Sequence, residues 1–181
     1  MKASISDFKA SLSTGGVRPT MFYVELTMPI GNQNIGNGKY RNGLSDFSML
    51  CKASQIPGQT ITTVTVGLPA GGAIKLPGSR IFETWNTNVI VDGKMELRRM
   101  IEQWAESVIG YEHQRGALQL DRYMGSAIVH QLDRQGEKLR SYEMKHIWPT
   151  VISPIELSYE AQEVEDFDVQ WNYHYFQPVQ G

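Results

Sequence analysis

Residues 167–175 have the sequence FDVQWNYHY, in which aromatic or branched apolar side chains occupy every second position. The positions between them carry Asp, Gln, Asn and His. A period of two places the two sets on opposite faces of a β-strand. The segment therefore predicts a strand over 167–175 that is buried on one face and wet on the other.

The same strand signals recur along most of the chain. Aromatic and β-branched residues favour strands, and between 83 and 92 the residues Trp85, Thr87 and Val89 share one face by alternation. Further strands are expected at 20–28, 45–54, 60–68, 126–133, 138–148 and 155–159. Gly136 supplies the turn between the stretches 126–133 and 138–148, because glycine adopts positive φ without strain.

One segment changes period. Between 95 and 108 the apolar residues follow the spacing of an amphipathic helix, which Asp92 or Gly93 would begin and Gly110 would end. The sequence thus predicts a mainly β, sandwich-like or barrel-like domain with one packed amphipathic α-helix, spanning 20–181. The predicted core residues are Trp85, Val89, Leu97, Ile101, Trp104, Val169 and Trp171.

Composition narrows the class of protein. The 181 residues carry 17 Lys or Arg and 19 Asp or Glu, a formal charge of −2, whereas a protein that coats a polyanion is usually strongly basic. A single cysteine, Cys51, excludes an intrachain disulfide and a Cys-rich zinc site. Without a signal-peptide core or a run of about 20 apolar residues, we expect a soluble protein made in a reducing compartment.

The charge is unevenly distributed. Residues 1–93 hold eight basic and five acidic groups, a net charge of +3, whereas residues 155–181 hold six acids and no Lys or Arg. A solvated acidic end explains this pattern. Self-association explains it equally well, if the acidic end meets a basic surface on the next copy.

Motifs of catalysis or cofactor binding are missing from the sequence. There is no G-x-S-x-G, and the Gly-rich stretch 67–72 lacks the Lys and Ser/Thr of a phosphate loop. Cys51, within a predicted strand, is interpreted as a packing residue. His130 and His146, which the predicted hairpin could bring together, are interpreted as ordinary strand histidines. We expect neither an enzyme nor a cofactor nor a metal site.

A domain this rich in strands must protect its edges from unwanted pairing. The segment 60–68 combines four threonines, at 60, 62, 63 and 65, with Val64 and Val66, and strands with Thr on one face and Val on the other suit a sheet with one wet side. An assembly in which copies close one another's edges would account for this pattern and for the polarised charge.

Several segments, in this order, resemble the tail tube proteins of contractile-tailed, T4-like bacteriophages. The stretch at 73–85 is close to the family's pattern I-K-x-x-G-x-R-x-F-x-x-W, and a helix containing Trp104 follows it. The matching segments are RPTMFYVE at 18–25, CKASQIPG at 51–58, AIKLPGSRIFETW at 73–85, SAIV at 126–129, WPT at 148–150 and the closing alternating strand.

The resemblance implies a structural virion protein without catalysis. Such proteins form six-membered rings that stack into a hollow tube, and strands of six copies join into one inner barrel. Its implied partners are further copies of itself, the tail sheath, the tape-measure protein, and the baseplate and tail-terminator proteins. Phage DNA would pass through the lumen without specific binding. The implied location is the phage tail, assembled in the host cytoplasm.

The resemblance also implies sites. The barrel strands would be 45–54, 60–68, 126–133 and 138–147, and a loop over 68–80 would reach a neighbouring copy. Segment 1–19 would become ordered on assembly, and the insertion 31–43 would decorate the tube or fill a gap between rings. The lumen candidates are Thr63, Thr65, His130 and Gln131. The contact candidates are Leu68, Gly71, Gly72, Ile74, Lys75, Gly78 and Arg80.

Two alternatives stay open. The same fold would serve the tube of a tailocin, a secretion-type injection machine or a baseplate tube initiator. The other alternative is an unrelated soluble β-sandwich binding module, which predicts a stable monomer.

Overall fold

The computed structural model describes residues 4–11, 16–29, 41–69, 71–111, 120–160 and 163–179. Three helices and nine strands follow one another along the described chain, with a 3-10 turn at Leu120–Arg122. In chain order these are α1 (Ile5–Ser11), β1 (Phe22–Thr27), α2 (Arg41–Leu50), β2 (Cys51–Ser54), β3 (Gln59–Gly67), β4 (Ala73–Phe82), β5 (Trp85–Ile90), α3 (Glu96–Val108), β6 (Gly125–Leu132), β7 (Lys138–Ile152), β8 (Asp166–Asn172) and β9 (Tyr175–Val179).

Two antiparallel sheets share the long strand β7. Sheet A has the order β1-β6-β7-β9, and sheet B has the order β2-β5-β8-β7. The first part of β7, Ser141 to Lys145, pairs with β9, whereas Trp148 to Ile152 pair with β8. The fold is therefore mainly β, as the alternating segments predict.

The closing segment is not one strand. His146 lies at φ 56 at a bulge between β6 and β7, and the bulge bends β7 from one sheet into the other. A strand that pairs with both parts of β7 must break where β7 bends. The predicted strand over 167–175 accordingly ends at Asn172 and resumes at Tyr175, in the other sheet.

One buried cluster contains residues of both sheets and of α2 and α3. Trp171 lies at its centre, with ring centroids 6.0 Å from Trp85, 5.3 Å from Trp104 and 6.2 Å from Phe47. All seven residues predicted for the core are at most 1% exposed: Trp85, Val89, Leu97, Ile101, Trp104, Val169 and Trp171.

The strand predicted over 45–54 is wrong for most of its length. Residues 41–50 form the helix α2, and only Cys51–Ser54 form a strand. Phe47 is fully buried, and Leu50, three residues later, packs against the same cluster. This spacing is typical of a helix, but the β-favouring residues that follow it made the whole segment read as a strand. Two helices, rather than the predicted one, therefore contribute to the core.

The strand predicted over 155–159 is also absent from the described chain. β7 ends at Ile152, and the next amide, of Ser153, donates to the carbonyl of Asp168. Beyond that bond Leu157 and Tyr159 are exposed and have no neighbouring strand in the described structure. Strand propensity without a pairing partner does not produce a strand.

The predicted helix over 95–108 is α3, and Asp92 caps its start. The Asp92 carboxylate accepts hydrogen bonds from the amides of Lys94, Glu96 and Leu97. Partial burial would raise the pKa of Asp92, but these backbone bonds hold it below its usual value. Of the predicted insertion 31–43, residues 31–40 lie outside the described residues and 41–43 belong to α2.

Candidate functional site: the assembly surfaces

Strands β3 and β4 form a separate two-stranded sheet, the hairpin 59–82. All described residues of the two strands are exposed except Thr62 and Phe82, which are half-buried. The loop predicted over 68–80 is therefore mostly strand, and only a tight turn separates β3 from β4. The amide of Leu68 closes this turn by donating to the carbonyl of Gly72 at 3.0 Å.

The hairpin is amphipathic. Val64 lies opposite Leu76 and Val66 opposite Ile74, so these four share one face. With Ile81 they form the apolar face of the hairpin, and each is 42% to 52% exposed. An isolated two-stranded hairpin is at best marginally stable in water, and an exposed apolar patch marks an interaction site.

The opposite side is the basic face of the hairpin. There Lys75 lies opposite Thr65, and Arg80 lies opposite Ile61. Both cations are exposed. Leu68 and Ile74, the other large side chains predicted for the contact, are 45% and 46% exposed.

The three predicted glycines have roles inside the hairpin. Gly71 and Gly72 lie at φ 86 and 95 in the turn, a conformation that favours glycine. Gly78 lies at the bulge of β4, where an added Cβ would stand 2.5 Å from Thr62 Oγ1 and 3.1 Å from the Thr62 carbonyl. These positions shape the surface.

The four lumen candidates do not come together. Thr63 and Thr65 are in the hairpin, and His130 and Gln131 are in β6 of sheet A. Of the predicted barrel strands, only those within 126–133 and 138–147 share sheet A. Residues 45–50 belong to α2 and 51–54 to sheet B, and 60–68 lie in the hairpin, so the four predicted barrel strands do not form one sheet within the chain.

His130 is buried, with 4% of its surface exposed, and so does not line an open surface of this chain. Its ring stacks on Tyr23 at 4.3 Å, Nδ1 lies 2.7 Å from Ser141 Oγ, and Nε2 lies 3.3 Å from Glu25 Oε1. Burial and the charge of Lys138 lower the pKa of His130, and the Glu25 carboxylate only partly offsets them.

The Ser141–His130–Glu25 series has the order of a catalytic triad, but Ser141 is itself only 4% exposed and no substrate could reach it. Sequence analysis missed the series because strand register alone brings the three residues together. Gln131, which follows His130 in β6, points to the opposite face of sheet A and donates to the carbonyls of Arg18 and Met21. Segment 16–21 is thereby tied to β6.

The other histidines pair differently from the prediction. His130 lies opposite Ser141, well along β7 from His146, so the two do not approach each other. His146 instead lies beside His174, with ring centroids 5.1 Å apart. Both rings are exposed at the bend of β7.

The described residues of the stretch 155–168, here called the acidic segment, present a second, largely exposed surface. Five of its six carboxylates, those of Glu156, Glu160, Glu163, Glu165 and Asp168, are on exposed residues. Asp166 is half-buried and pairs with Lys52 Nζ at 2.6 Å, and this hydrogen bond lowers the pKa of Asp166.

Within the described ranges, no group of three or more His, Cys, Asp or Glu side chains could hold a metal ion. None of the helices described is long and apolar enough to span a membrane.

Known proteins resemble this chain in sequence and in fold. Tail tube protein gp19 of Enterobacteria phage T4 is 24% identical over 168 residues, covering 91% of this chain and 94% of the phage protein. A chain of the anti-feeding prophage tube-terminating cap has a TM-score of 0.66 at 12% identity, over 92% of both chains. A chain of the sheath–tube complex of an extracellular contractile injection system has a TM-score of 0.59 at 13% identity, over 98% and 99%.

At these identities the solved structures show a shared fold. The family model for phage tail tube proteins matches residues 17–178, nearly the whole chain. Members of this family are structural components of the virion tail and not enzymes. The chain belongs to the phage tail tube protein family.

Proposed function

We propose that six copies close into a ring by pairing β1 of one copy with β9 of the next. The observation that carries this proposal is that sheet A is open at both ends. Among the described strands β1 pairs only with β6, and β9 pairs only with β7. Such edges present unpaired N–H and C=O groups, and closing a sheet into a barrel removes them.

The face of sheet A turned away from the core becomes the lumen wall. Glu25, Glu143 and Gln177 share this face, because the register aligns them across β1, β7 and β9. Lys145 and Gln177 both contact the Glu143 carboxylate, so its charge is partly satisfied within the chain. A wall without a strong basic field would let DNA pass without binding it.

The apolar face of the hairpin then packs against a neighbouring copy. An interface that covers Val64, Val66 and Leu76 removes the exposed patch and supplies the packing that an isolated hairpin lacks. The contact belongs to residues 59–82, a wider region than the predicted 68–80.

Stacked rings form the hollow inner tube of a contractile tail, the conduit for DNA ejection. The sheath would surround the tube, the tape-measure protein would occupy its lumen, and the baseplate and terminator would cover its ends. Similarity to a chain of a sheath–tube complex supports these partners. It also favours the second candidate, the tube of a tailocin or injection machine, over a monomeric binding module.

Hydrogen exchange tests the ring. The amides of β1 that point away from β6, and those of β9 that point away from β7, should exchange quickly in the dilute monomer and become protected in rings with the mass of six 20.4-kDa chains. Amides of β6, which is already paired on both sides, serve as the internal control. Rings in which both edges still exchange at the monomer rate would overturn the edge-pairing proposal.

A further inference from the structure

The hairpin and the acidic segment leave sheet B at opposite ends of the same strand. β5 begins at Trp85, just after the hairpin ends at Phe82, and its last residue, Ile90, lies opposite Asp166. A strand of six residues holds its ends about 17 Å apart. The base of the hairpin is fixed on the near side, where the Phe82 ring lies 6.0 Å from Tyr173 and 5.6 Å from Phe176.

The two surfaces are complementary in charge. The hairpin 59–82 contains Lys75 and Arg80 and no acid, whereas the acidic segment contains six carboxylates and no Lys or Arg. The basic face also carries Ile61, which is 51% exposed, and the acidic segment presents Leu157 at 82% exposure. Charged and apolar groups are thus interspersed on both surfaces, as in protein interfaces.

Complementary surfaces at opposite ends of one strand can meet between copies, head to tail, and such a contact repeats along an axis when its rotation does not close a ring. Pairing of β1 with β9 uses the two edges of sheet A, which leaves the surfaces at the two ends of β5, in sheet B, available for stacking. We infer that the basic face of the hairpin docks on the acidic segment of a copy in the adjacent ring. Lys75 and Arg80 would face the carboxylates of Glu160 and Glu163.

This inference rests on the proposed function, because it assigns the contact that stacks the proposed rings. The two faces of the hairpin then have different neighbours. The apolar face packs within the ring, and the basic face links one ring to the next.

Paired charge reversals test the contact. Lys75→Glu with Arg80→Glu should stop assembly at single rings, and so should Glu160→Lys with Glu163→Lys. The protein that carries all four changes should form tubes again, because the attraction is restored with the signs exchanged. Lys94→Glu with Arg134→Glu is the matched control: both residues are exposed, the charge change is equal, and tubes should persist.

Electron microscopy, with circular dichroism to verify folding, distinguishes the outcomes. Tubes of normal length from the Lys75/Arg80 variant would overturn the inference and leave the ring proposal standing, as would failure of the fourfold variant to restore tubes. A wild-type protein that forms no rings on a tube-end template would overturn the proposed function and, with it, this inference.

A cross-linking measurement does not depend on tube yield. Lys75→Cys with Glu160→Cys should give a ladder of covalently linked chains with a short bismaleimide in tubes but not in isolated rings. Cys51 should not react with the bismaleimide, because burial raises the pKa of its thiol to about 12. Lys75→Cys with Glu106→Cys is the control pair, and an equal ladder from it, or none from the test pair, would contradict the contact.

Discussion

The indole N–H of Trp171 donates a hydrogen bond to Thr87 Oγ1 at 2.9 Å, in the buried layer between strands β8 and β5. Thr87 in turn donates to the carbonyl of Val169 at 3.4 Å. Three further aromatic rings surround Trp171, and two of them, Trp104 and Phe47, come from helices α3 and α2. This hydrogen bond therefore orients the side chain on which both sheets and both packed helices converge.

Thr87→Val should destabilise the protein by about 1–3 kcal/mol, because it keeps the shape of the side chain but leaves a buried indole donor unsatisfied. Urea unfolding would measure the loss. Thr150→Val is the control, because the Thr150 hydroxyl also donates to a carbonyl, that of Gln170, but the residue is exposed. Its free energy of unfolding should change by no more than about 0.5 kcal/mol. Equal losses in the two variants would contradict the assigned role of Thr87.

Trp85→Ala should cost about 3–5 kcal/mol, the range for deleting a large buried aromatic side chain. The residue is 1% exposed and donates to Ser54 Oγ and the Gln55 carbonyl. Trp85→Phe, which retains most of the buried area, should lose less. An unfolding midpoint that does not move in the alanine variant would refute this core assignment.

The stability of the monomer should fall as the pH drops below about 6.5, the usual pKa of histidine. His130 has a lowered pKa in the folded state, so the unfolded chain binds more protons there and acid favours unfolding. Full stability is present above pH 6.5 and is lost progressively as the pH falls towards the folded-state pKa.

His130→Gln should flatten this dependence between pH 7.5 and 5.5, with urea midpoints as the readout. The groups around His130 are Glu25, Lys138 and Tyr23, so the variant leaves their charges in place. His174→Gln, at an exposed histidine, is the control and should keep the wild-type slope. If the urea midpoint of the His130 variant depended on pH as steeply as that of the wild type, a group other than His130 would cause the acid sensitivity.

Gly78→Ala should impair tube formation while leaving the core intact. The new Cβ would stand 2.5 Å from Thr62 Oγ1 and 3.1 Å from its carbonyl, so the bulge must shift and the basic face with it. Gly67→Ala, where a Cβ meets nothing within 4 Å, should form normal tubes. Electron microscopy and thermal melting report the two effects separately, and full-length tubes from the Gly78 variant would contradict the role given to the bulge.

The periodicity of apolar residues is sufficient to predict the core residues, but it does not predict the segments that connect the strands. Alternation in β5 and β8 and the helical spacing in α3 identify faces, and burial follows from faces. The segment 68–80, most of which is the second strand of the hairpin, is predicted as a loop because Pro77 and Gly78 are ordinarily strand breakers, whereas the structure accommodates both at a bulge. The division between β8 and β9 is set by the bend of a distant strand at His146, which local sequence does not encode.

Part of the assembly surfaces can be predicted from the sequence. Charge asymmetry and the segment 73–85 are visible in the sequence, and both point to self-association. Whether Lys75 shares a face with Arg80 depends on the bulge between them, and the Glu25–His130–Ser141 series depends on register across three strands. Neither can be derived from spacing along one segment.

A cryo-electron microscopy map of the assembled protein tests the central claim most directly. The predicted result is a six-fold ring whose inner wall is unbroken, with β9 of each chain hydrogen-bonded to β1 of the next. An inner wall with gaps between chains, or a protein that stays monomeric on a tube-end template, would contradict it.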